Sequence, residues 1–269
     1  MTDQAAAAPD QSIAFRTLGG SGPDCLLLHG FGSDRLSWLG NLPALLPLAT
    51  IHALDLPGHG ESGLDAGDGS PLTLARRIEA ELDARKLRSV HIIAHSLGGG
   101  VALLLADRRP ELVASLALIA PAGLGEGVDA GFLHAYPELA DAAAATELLQ
   151  RLVVRPQLIG KQIAARVLEH LARPGARDAL QRIATGFIEG EGGLRQAAVA
   201  ATARVTPRLT IWGQEDAINR PSAARLEAFG GEQHVIAAAA HLPHIETAKQ
   251  VNSLLAGFLQ RVLQRVAVR

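Results

Sequence analysis

Hydrophobic residues follow two alternating patterns along this chain. Short runs rich in Val, Ile and Leu predict strands, and intervening segments with apolar residues three or four positions apart predict helices. One such helix carries Leu74, Ile78 and Leu82 on a single face. The order of strands and helices is typical of a mainly parallel sheet covered on both faces, so we predict an α/β fold. The predicted strands are Cys25–His29, Thr50–Asp55, Val90–His95, Ser115–Ala120, Arg208–Trp212 and His234–Ala237, with an antiparallel edge strand near Ile13–Leu18.

The alternation stops between residues 124 and 190. Helical patterns at Ala142–Leu152 and Lys161–Leu171 follow each other there without a strand, over a length that exceeds an ordinary connection. We therefore expect residues 124–190 to form an inserted helical cap over the carboxyl ends of the strands, where open α/β sheets bind ligands. Residues 1–123 and 191–269 would form the core.

Composition and charge narrow the classes of partner. The 25 basic and 27 acidic residues nearly cancel, so the chain offers no general attraction for nucleic acid or anionic lipid. No run approaches the roughly 18 apolar residues of a membrane span, and the acidic start does not resemble a secretory signal. We expect a cytoplasmic protein, a monomer or homodimer, with a disordered leader at residues 1–10 and an inert buried thiol at Cys25.

Ser96 lies where a predicted strand turns sharply into a helix. The strand ends at His95, and glycines at 98–100 begin the helix. Small residues two positions before and after the serine, Ala94 and Gly98, let strand and helix approach closely. The helix N-terminus favours a developing negative charge, which predicts Ser96 as a nucleophile. A serine that only caps the helix is the alternative.

A serine hydroxyl needs a base and a carboxylate that orients the base. In sheets with this turn, the carboxylate follows a later strand and the base follows the last one. Asp216 and His241 lie at those two places. Glu215 is an alternative carboxylate, although it should point the other way, and His244 is an alternative base.

Catalysis at a carbonyl also needs N–H groups that stabilise the oxyanion. The first expected donor is the backbone N–H of Leu97, directly after the nucleophile. The second is that of Phe31, in the glycine-flanked loop after the first parallel strand. A plain glycine-rich turn is the alternative interpretation of this loop.

These motifs resemble those of the α/β-hydrolase superfamily over nearly the whole chain. The resemblance implies an α/β-hydrolase fold with a helical cap, a Ser96–His241–Asp216 triad, and a structural role for the Asp55–Ser62 loop. More narrowly, Ile119–Gly125 and the segment after it resemble the hydrolase-like domain of acetoin dehydrogenase E2 (dihydrolipoamide acetyltransferase) subunits. No segment of these residues resembles a lipoyl domain, so we expect a hydrolase. The other matching motifs are His29–Gly32, Trp212–Asp216 and His241–Glu246.

The predicted function is that of a serine hydrolase, in the first place a serine esterase, that cleaves an ester, thioester or related acyl bond of a small molecule through an acyl-enzyme. No nucleotide fingerprint or metal-ligand set is present in the sequence, so we predict no cofactor and no metal. An acyltransferase-related enzyme, a C–C bond hydrolase or a cofactor-free perhydrolase using the same triad, and a non-catalytic ligand-binding protein, remain alternatives. The expected pocket residues are His95, Phe132, Tyr136, Phe187 and Leu242.

Overall fold

A seven-stranded sheet forms the centre of the computed structural model, which describes residues 10–205 and 207–267. Of the predicted leader, residues 1–9 lie outside the described residues. The strands are β1 Phe15–Gly19, β2 Asp24–Leu28, β3 Thr50–Leu54, β4 Val90–His95, β5 Val113–Ile119, β6 Gly125–Val128, β7 Arg208–Gly213, β8 Asn219–Pro221 and β9 Glu232–Ile236.

Helices cover both faces of this sheet and fill the connection between β5 and β7. The α-helices are α1 Leu42–Leu45, α2 Pro71–Ala84, α3 Ser96–Arg108, α4 Ala130–Ala135, α5 Ala142–Gln150, α6 Lys161–Leu171, α7 Ala176–Arg204, α8 Ala223–Phe229, α9 Pro243–Glu246 and α10 Ala248–Ala267. Short 3-10 helices lie at Arg35–Trp38, Pro110–Leu112 and Pro156–Leu158.

The strand order β1-β3-β2-β4-β5-β7-β9 confirms the predicted α/β fold. Strand β1 pairs antiparallel with β3, and the other pairs in this sheet are parallel. Each predicted strand appears with its bounds moved by at most a few residues. A second, two-stranded sheet of β6 and β8 was not predicted, because their short sequences contain no apolar run.

Successive side chains of each strand point to opposite faces of the sheet, so the hydrophobic core is divided into two clusters, one on each face. In β2, Leu26 and Leu28 belong to one buried cluster and Cys25 and Leu27 to the other. Burial, and secondarily the charge of Asp24, raises the pKa of the Cys25 thiol to about 12. The thiol therefore stays protonated near neutral pH.

Helix α2 illustrates how local sequence fixes an element. Ser70 caps its N-terminus by accepting a hydrogen bond from the N–H of Thr73, and Pro71 occupies the first turn. Leu74, Ile78 and Leu82, as predicted, lie on its buried face. Within the described ranges, no helix combines the length and the apolarity that a membrane span requires.

Candidate active site

The turn between β4 and α3 holds Ser96 in a strained conformation. Its φ is +51°, in the left-handed region that side chains other than glycine rarely adopt. A Cβ atom at Gly98 would lie 2.7 Å from the carbonyl oxygen of Leu28, so only glycine lets the helix pass this close to β2. The hydroxyl consequently projects from the sheet edge at the start of a helix.

His241 lies between Ser96 and Asp216. Its Nε2 atom is 3.0 Å from the Ser96 hydroxyl oxygen, and its Nδ1 atom is 2.8 Å from Oδ2 of Asp216. The three side chains follow β4, β7 and β9, whose carboxyl ends meet at one edge of the sheet. All three are buried, with relative exposures of 4%, 4% and 3% for Ser96, His241 and Asp216.

Four N–H groups point at the Asp216 carboxylate. Oδ1 accepts hydrogen bonds from the backbone N–H groups of Ile218 and Asn219, both at 2.9 Å. Oδ2 accepts from the indole N–H of Trp212 at 3.0 Å and pairs with the His241 ring. These contacts stabilise its negative charge and fix its orientation. The Glu215 side chain, the alternative carboxylate, is exposed.

His244, the alternative base, does not pair with Ser96. Its ring lies between Trp38 and His95, with ring centroids 4.8 Å and 4.7 Å away. Neither ring nitrogen has a hydrogen-bond partner among the residues described. Burial, and secondarily the neighbouring imidazole of His241, lowers the pKa of His244 to about 3, so this ring is neutral near pH 7.

The loop after β2 runs directly beside the nucleophile. A Cβ atom at Gly30 would lie 3.1 Å from Cβ of Ser96. The ring of His29 fixes this loop, because Nε2 accepts a hydrogen bond from the N–H of Leu56 at 2.9 Å and Nδ1 donates to the carbonyl of Gly30 at 2.8 Å. Phe31 follows Gly30 and borders the same cavity as Ser96.

Leu97 lies in the first turn of α3. The residue before this helix, His95, makes no capping hydrogen bond with its side chain. The first N–H groups of an α-helix have no intrahelical acceptor, and the N–H of Leu97 is one of these groups. Such groups favour an anion beside Ser96.

A cavity of about 920 Å³ opens over Ser96 and His241. Apolar side chains from the segment between β5 and β7, among them Leu133 and Leu149, form much of its wall. Four of the five expected pocket residues also border it, namely His95, Phe132, Tyr136 and Leu242. Tyr136 additionally donates a hydrogen bond from its hydroxyl to the carbonyl of Gly32.

Phe187 requires a correction, because it does not border this cavity. It is fully buried in the hydrophobic core, on the face of α7 that also carries Ile183 and Leu194. This face packs against the sheet-covering helices, with Leu194 next to Gly100 of α3. The spacing of apolar residues predicts that this face of the helix is buried, but it does not predict which part of the protein covers it.

A group of polar residues that the sequence pattern did not indicate also borders the cavity. It comprises residues after β2, after β3 and from the region of α6. The loop containing His59 had been expected to be structural, and isolated Arg and His residues on helices give no distinctive signal. This group includes Asp34, Arg35, His59, Arg166, His170 and Arg173.

Over residues 10–205 and 207–267, no group of three or more His, Cys, Asp or Glu side chains is arranged to hold a metal ion.

A mainly parallel sheet with a serine at a strand–helix turn, and with a carboxylate and a histidine after later strands, defines an α/β-hydrolase fold. The chain belongs to the Alpha/beta hydrolase family, whose model matches residues 25–254. This confirms the resemblance noted in the sequence.

Two relatives support the narrower resemblance, which was to the E2 subunits of acetoin dehydrogenase. The chain is 34% identical over 247 residues to the dihydrolipoyllysine-residue acetyltransferase component of the acetoin cleaving system of Pseudomonas putida, covering 92% of this chain and 66% of that protein. It is 29% identical over 243 residues to the component of the same name from Cupriavidus necator, covering 90% and 65%. The chain thus spans slightly less than two thirds of the length of these relatives.

Solved structures support the fold. A meta-cleavage product hydrolase from Pseudomonas fluorescens matches with a TM-score of 0.79 and 21% identity, covering 94% of this chain and 97% of that one. A thermophilic esterase from Thermogutta terrifontis matches with a TM-score of 0.74 and 22% identity, covering 93% of both chains. At these identities the similarity concerns the fold alone.

Proposed function

We propose that this member of the hydrolase family is a serine hydrolase that cleaves an ester, thioester or related acyl bond. The observation that carries the proposal is the contact chain from Ser96 through His241 to Asp216, with distances of 3.0 and 2.8 Å. Because a carboxylate can only accept, Nδ1 of His241 donates to Asp216, and its Nε2 lone pair faces the serine hydroxyl. His241 is therefore in the tautomer that a general base requires.

The reaction proceeds in two steps. As Ser96 Oγ attacks the carbonyl carbon, His241 Nε2 takes the hydroxyl proton, and the N–H groups of Leu97 and Phe31 stabilise the oxyanion. His241 then gives this proton to the leaving group, which departs from the acyl-enzyme. Water then attacks the acyl carbon as His241 takes a proton from it, and His241 returns this proton to Ser96 Oγ as the bond between Ser96 and the acyl group breaks and the acid is released.

We propose further that residues 124–190 act as the cap of this site, and residues 1–123 and 191–269 as its core. Side chains from α4, α5 and α6 border the cavity above Ser96, which supports this division. Helix α7 continues across residue 190 and connects the two parts. The cytoplasmic location and the monomeric or dimeric state remain predictions.

The test is labelling and turnover by the wild-type protein and the Ser96→Ala variant. We expect a fluorophosphonate probe to label the wild type at Ser96, and p-nitrophenyl esters to give an acyl burst. Ser96→Ala should abolish labelling and lower kcat by about three to six orders of magnitude. Unchanged turnover by a folded Ser96→Ala variant would refute the proposal, as would a wild type that neither reacts nor turns over.

Acyl transfer is the second candidate, favoured by the similarity to the two acetyltransferase components. A thiol would then replace water in the second step and accept the acyl group from Ser96. Supplying dihydrolipoamide to the acyl-enzyme distinguishes the two activities. Partition mainly into the thioester would support transfer, and partition mainly into the acid would support hydrolysis.

A further inference from the structure

Exposed aliphatic side chains lie at the mouth of the cavity over Ser96. Ile163 of α6 and Ile245 of α9 border the cavity and are 43% and 41% exposed. Leu39 and Val154 lie next to cavity-lining residues and are 56% and 40% exposed. Seven large hydrophobic side chains are exposed among the residues that the structure describes, and these are four of them.

Hydrogen bonds hold these four residues on one face of the protein. The N–H of Val154 donates to Oε2 of Glu246, the residue after Ile245, at 2.8 Å. The residue after Leu39 borders the cavity, and its carbonyl accepts a hydrogen bond from helix α10, which follows α9. Single exposed apolar side chains are ordinary, but a group of them around a cavity mouth is typical of an interaction surface.

Basic residues accompany the aliphatic ones. From residue 148 to residue 168 the sequence contains four basic residues and no Asp or Glu. Two of the four are paired, because Arg151 contacts Asp129 and Arg166 contacts Asp34. The whole chain carries a formal charge of -2, so this stretch is a local departure from an otherwise balanced distribution.

Three exposed basic side chains near the mouth form no ion pair with a carboxylate of the described residues. Arg155 donates to the backbone carbonyl of Glu246. Lys161 begins α6, two positions before Ile163, and Lys249 lies in the first turn of α10. The charge around the aliphatic side chains is therefore positive.

Acidic side chains near the cavity do not cancel this charge. Glu246 is buried and accepts from the N–H of Val154. Glu61 is exposed but pairs with Arg35. Glu169 is exposed and borders the cavity, but it lies six residues after Ile163 in α6, about 9 Å along the helix axis.

We propose that these four aliphatic and three basic side chains, the mouth patch, dock the protein on an anionic lipid bilayer. The aliphatic side chains enter the boundary between headgroups and acyl chains, and the basic groups contact the headgroup phosphates. Charge complementarity is the observation that selects this partner. A second copy of the chain suits the patch less well, because a symmetric dimer brings the same basic residues against each other.

Docking in this orientation opens the cavity towards the lipid. Between Val154 and Ile163 along the chain, Leu158 and Ile159 border the cavity, so apolar side chains connect the patch with the cavity wall. An acyl chain can then pass from the bilayer towards Ser96 without crossing water. The substrates that follow are lipid esters held in a bilayer, and this consequence alone rests on the proposed function.

Vesicle co-sedimentation of the Ser96→Ala variant measures docking without turnover. The probes are vesicles of phosphatidylcholine alone and of equal parts phosphatidylcholine and phosphatidylglycerol. At low salt we expect binding to the anionic vesicles to be at least about tenfold tighter, and high salt should remove the difference by screening. Absence of binding to the anionic vesicles, or equal binding to both kinds, overturns the proposal.

Two double variants, in the Ser96→Ala background, assign docking to the patch. Lys161→Glu with Lys249→Glu should weaken binding to anionic vesicles by at least about 20-fold, since each basic residue near such a surface contributes about fivefold. Leu39→Ser with Val154→Ser should weaken it about tenfold, because less apolar surface enters the bilayer. Wild-type affinity in both double variants contradicts the assignment.

Matched controls come from the opposite edge of the sheet. Lys86 is exposed and lies between α2 and the amino end of β4. Val199 is 70% exposed and lies in the last turns of α7, which leads to the amino end of β7. Lys86→Glu and Val199→Ser should bind vesicles as the parent protein does, and losses equal to those of the double variants would show that the effect is not specific to the patch.

Oligomeric state and activity separate the remaining outcomes. A dimer in sedimentation equilibrium that Leu39→Ser with Val154→Ser dissociates, without vesicle binding, would assign the patch to a second copy and overturn the proposal. With Ser96 intact, the double variants should hydrolyse p-nitrophenyl palmitate in anionic vesicles about tenfold more slowly relative to soluble p-nitrophenyl acetate. Vesicle binding by a protein that cleaves no ester leaves docking standing and refutes the proposed function, and ester cleavage without vesicle binding does the reverse.

Discussion

His95 holds the backbone of His241 in place: its Nε2–H donates to the carbonyl oxygen of His241 at 2.9 Å, and the two ring centroids are 4.9 Å apart. The residue before the nucleophile therefore supports the residue proposed to activate it. On the other side, the N–H of His241 donates to the carbonyl of Leu152 at 3.0 Å. Both backbone polar groups of His241 are thus fixed by residues distant in sequence.

Removing the Nε2–H donor of His95 should lower kcat more than it weakens substrate binding. We expect His95→Leu to lower kcat about 10-fold to 100-fold, since small misplacements of a catalytic group have large effects on rate. His95→Gln should recover much of kcat, because its amide N–H can reach the same carbonyl. Steady-state kinetics and the rate of fluorophosphonate labelling measure the effect. Equal losses in the Leu and Gln variants would contradict a role in positioning.

The role of the Asp216 carboxylate can be tested against the adjacent carboxylate of Glu215. Asp216→Asn should lower kcat by about 10⁴-fold, because an amide can favour the wrong tautomer of His241. Glu215→Gln changes an exposed carboxylate one residue away and should leave kcat within about twofold. Turnover of p-nitrophenyl esters by both variants tests the assignment. A large loss in Glu215→Gln alone would show that the other carboxylate orients the base.

Two glycine substitutions should change stability in opposite directions. At Gly98, an added methyl would collide with the carbonyls of Leu28 and His29, so Gly98→Ala should cost about 1–3 kcal/mol in free energy of unfolding. At Gly192, an exposed position on helix α7, an added methyl would meet nothing within 4 Å, so Gly192→Ala should stabilise by about 0.5–1 kcal/mol. Urea unfolding measures both. An unaffected Gly98→Ala protein would rule out the close passage of α3 against the carboxyl end of β2.

His244 should make stability depend on pH. Its folded-state pKa of about 3 lies below the roughly 6.5 expected for an unfolded chain, so the unfolded state binds more protons between these values. Its contribution to the free energy of unfolding therefore falls as pH decreases from about 6.5, with a slope approaching 1.4 kcal/mol per pH unit.

Substitution by phenylalanine tests this dependence. His244→Phe keeps an aromatic ring between Trp38 and His95 but cannot take up a proton. The slope of stability against pH between pH 5 and 6 should be smaller than in the wild type by about 1 kcal/mol per unit. Urea unfolding at several pH values supplies the slopes, and identical slopes would mean that the ring is not buried in a neutral form.

Local sequence contained most of the information about the sheet and the ends of its strands. Apolar runs marked the strands, because a strand buried on both faces accepts few polar residues. The small residues around Ser96 marked the turn, since close approach of strand and helix depends on immediate neighbours. Asp216 and His241 were expected at one edge of the sheet, because parallel strands bring their carboxyl ends together.

Contacts between distant elements were decided only by the tertiary structure. The pairing of β6 with β8, the position of Phe187 in the core and the exposure of Glu215 depend on which surfaces pack together. Periodicity determines that a residue is buried, but only packing determines its partners, because those lie far away along the chain.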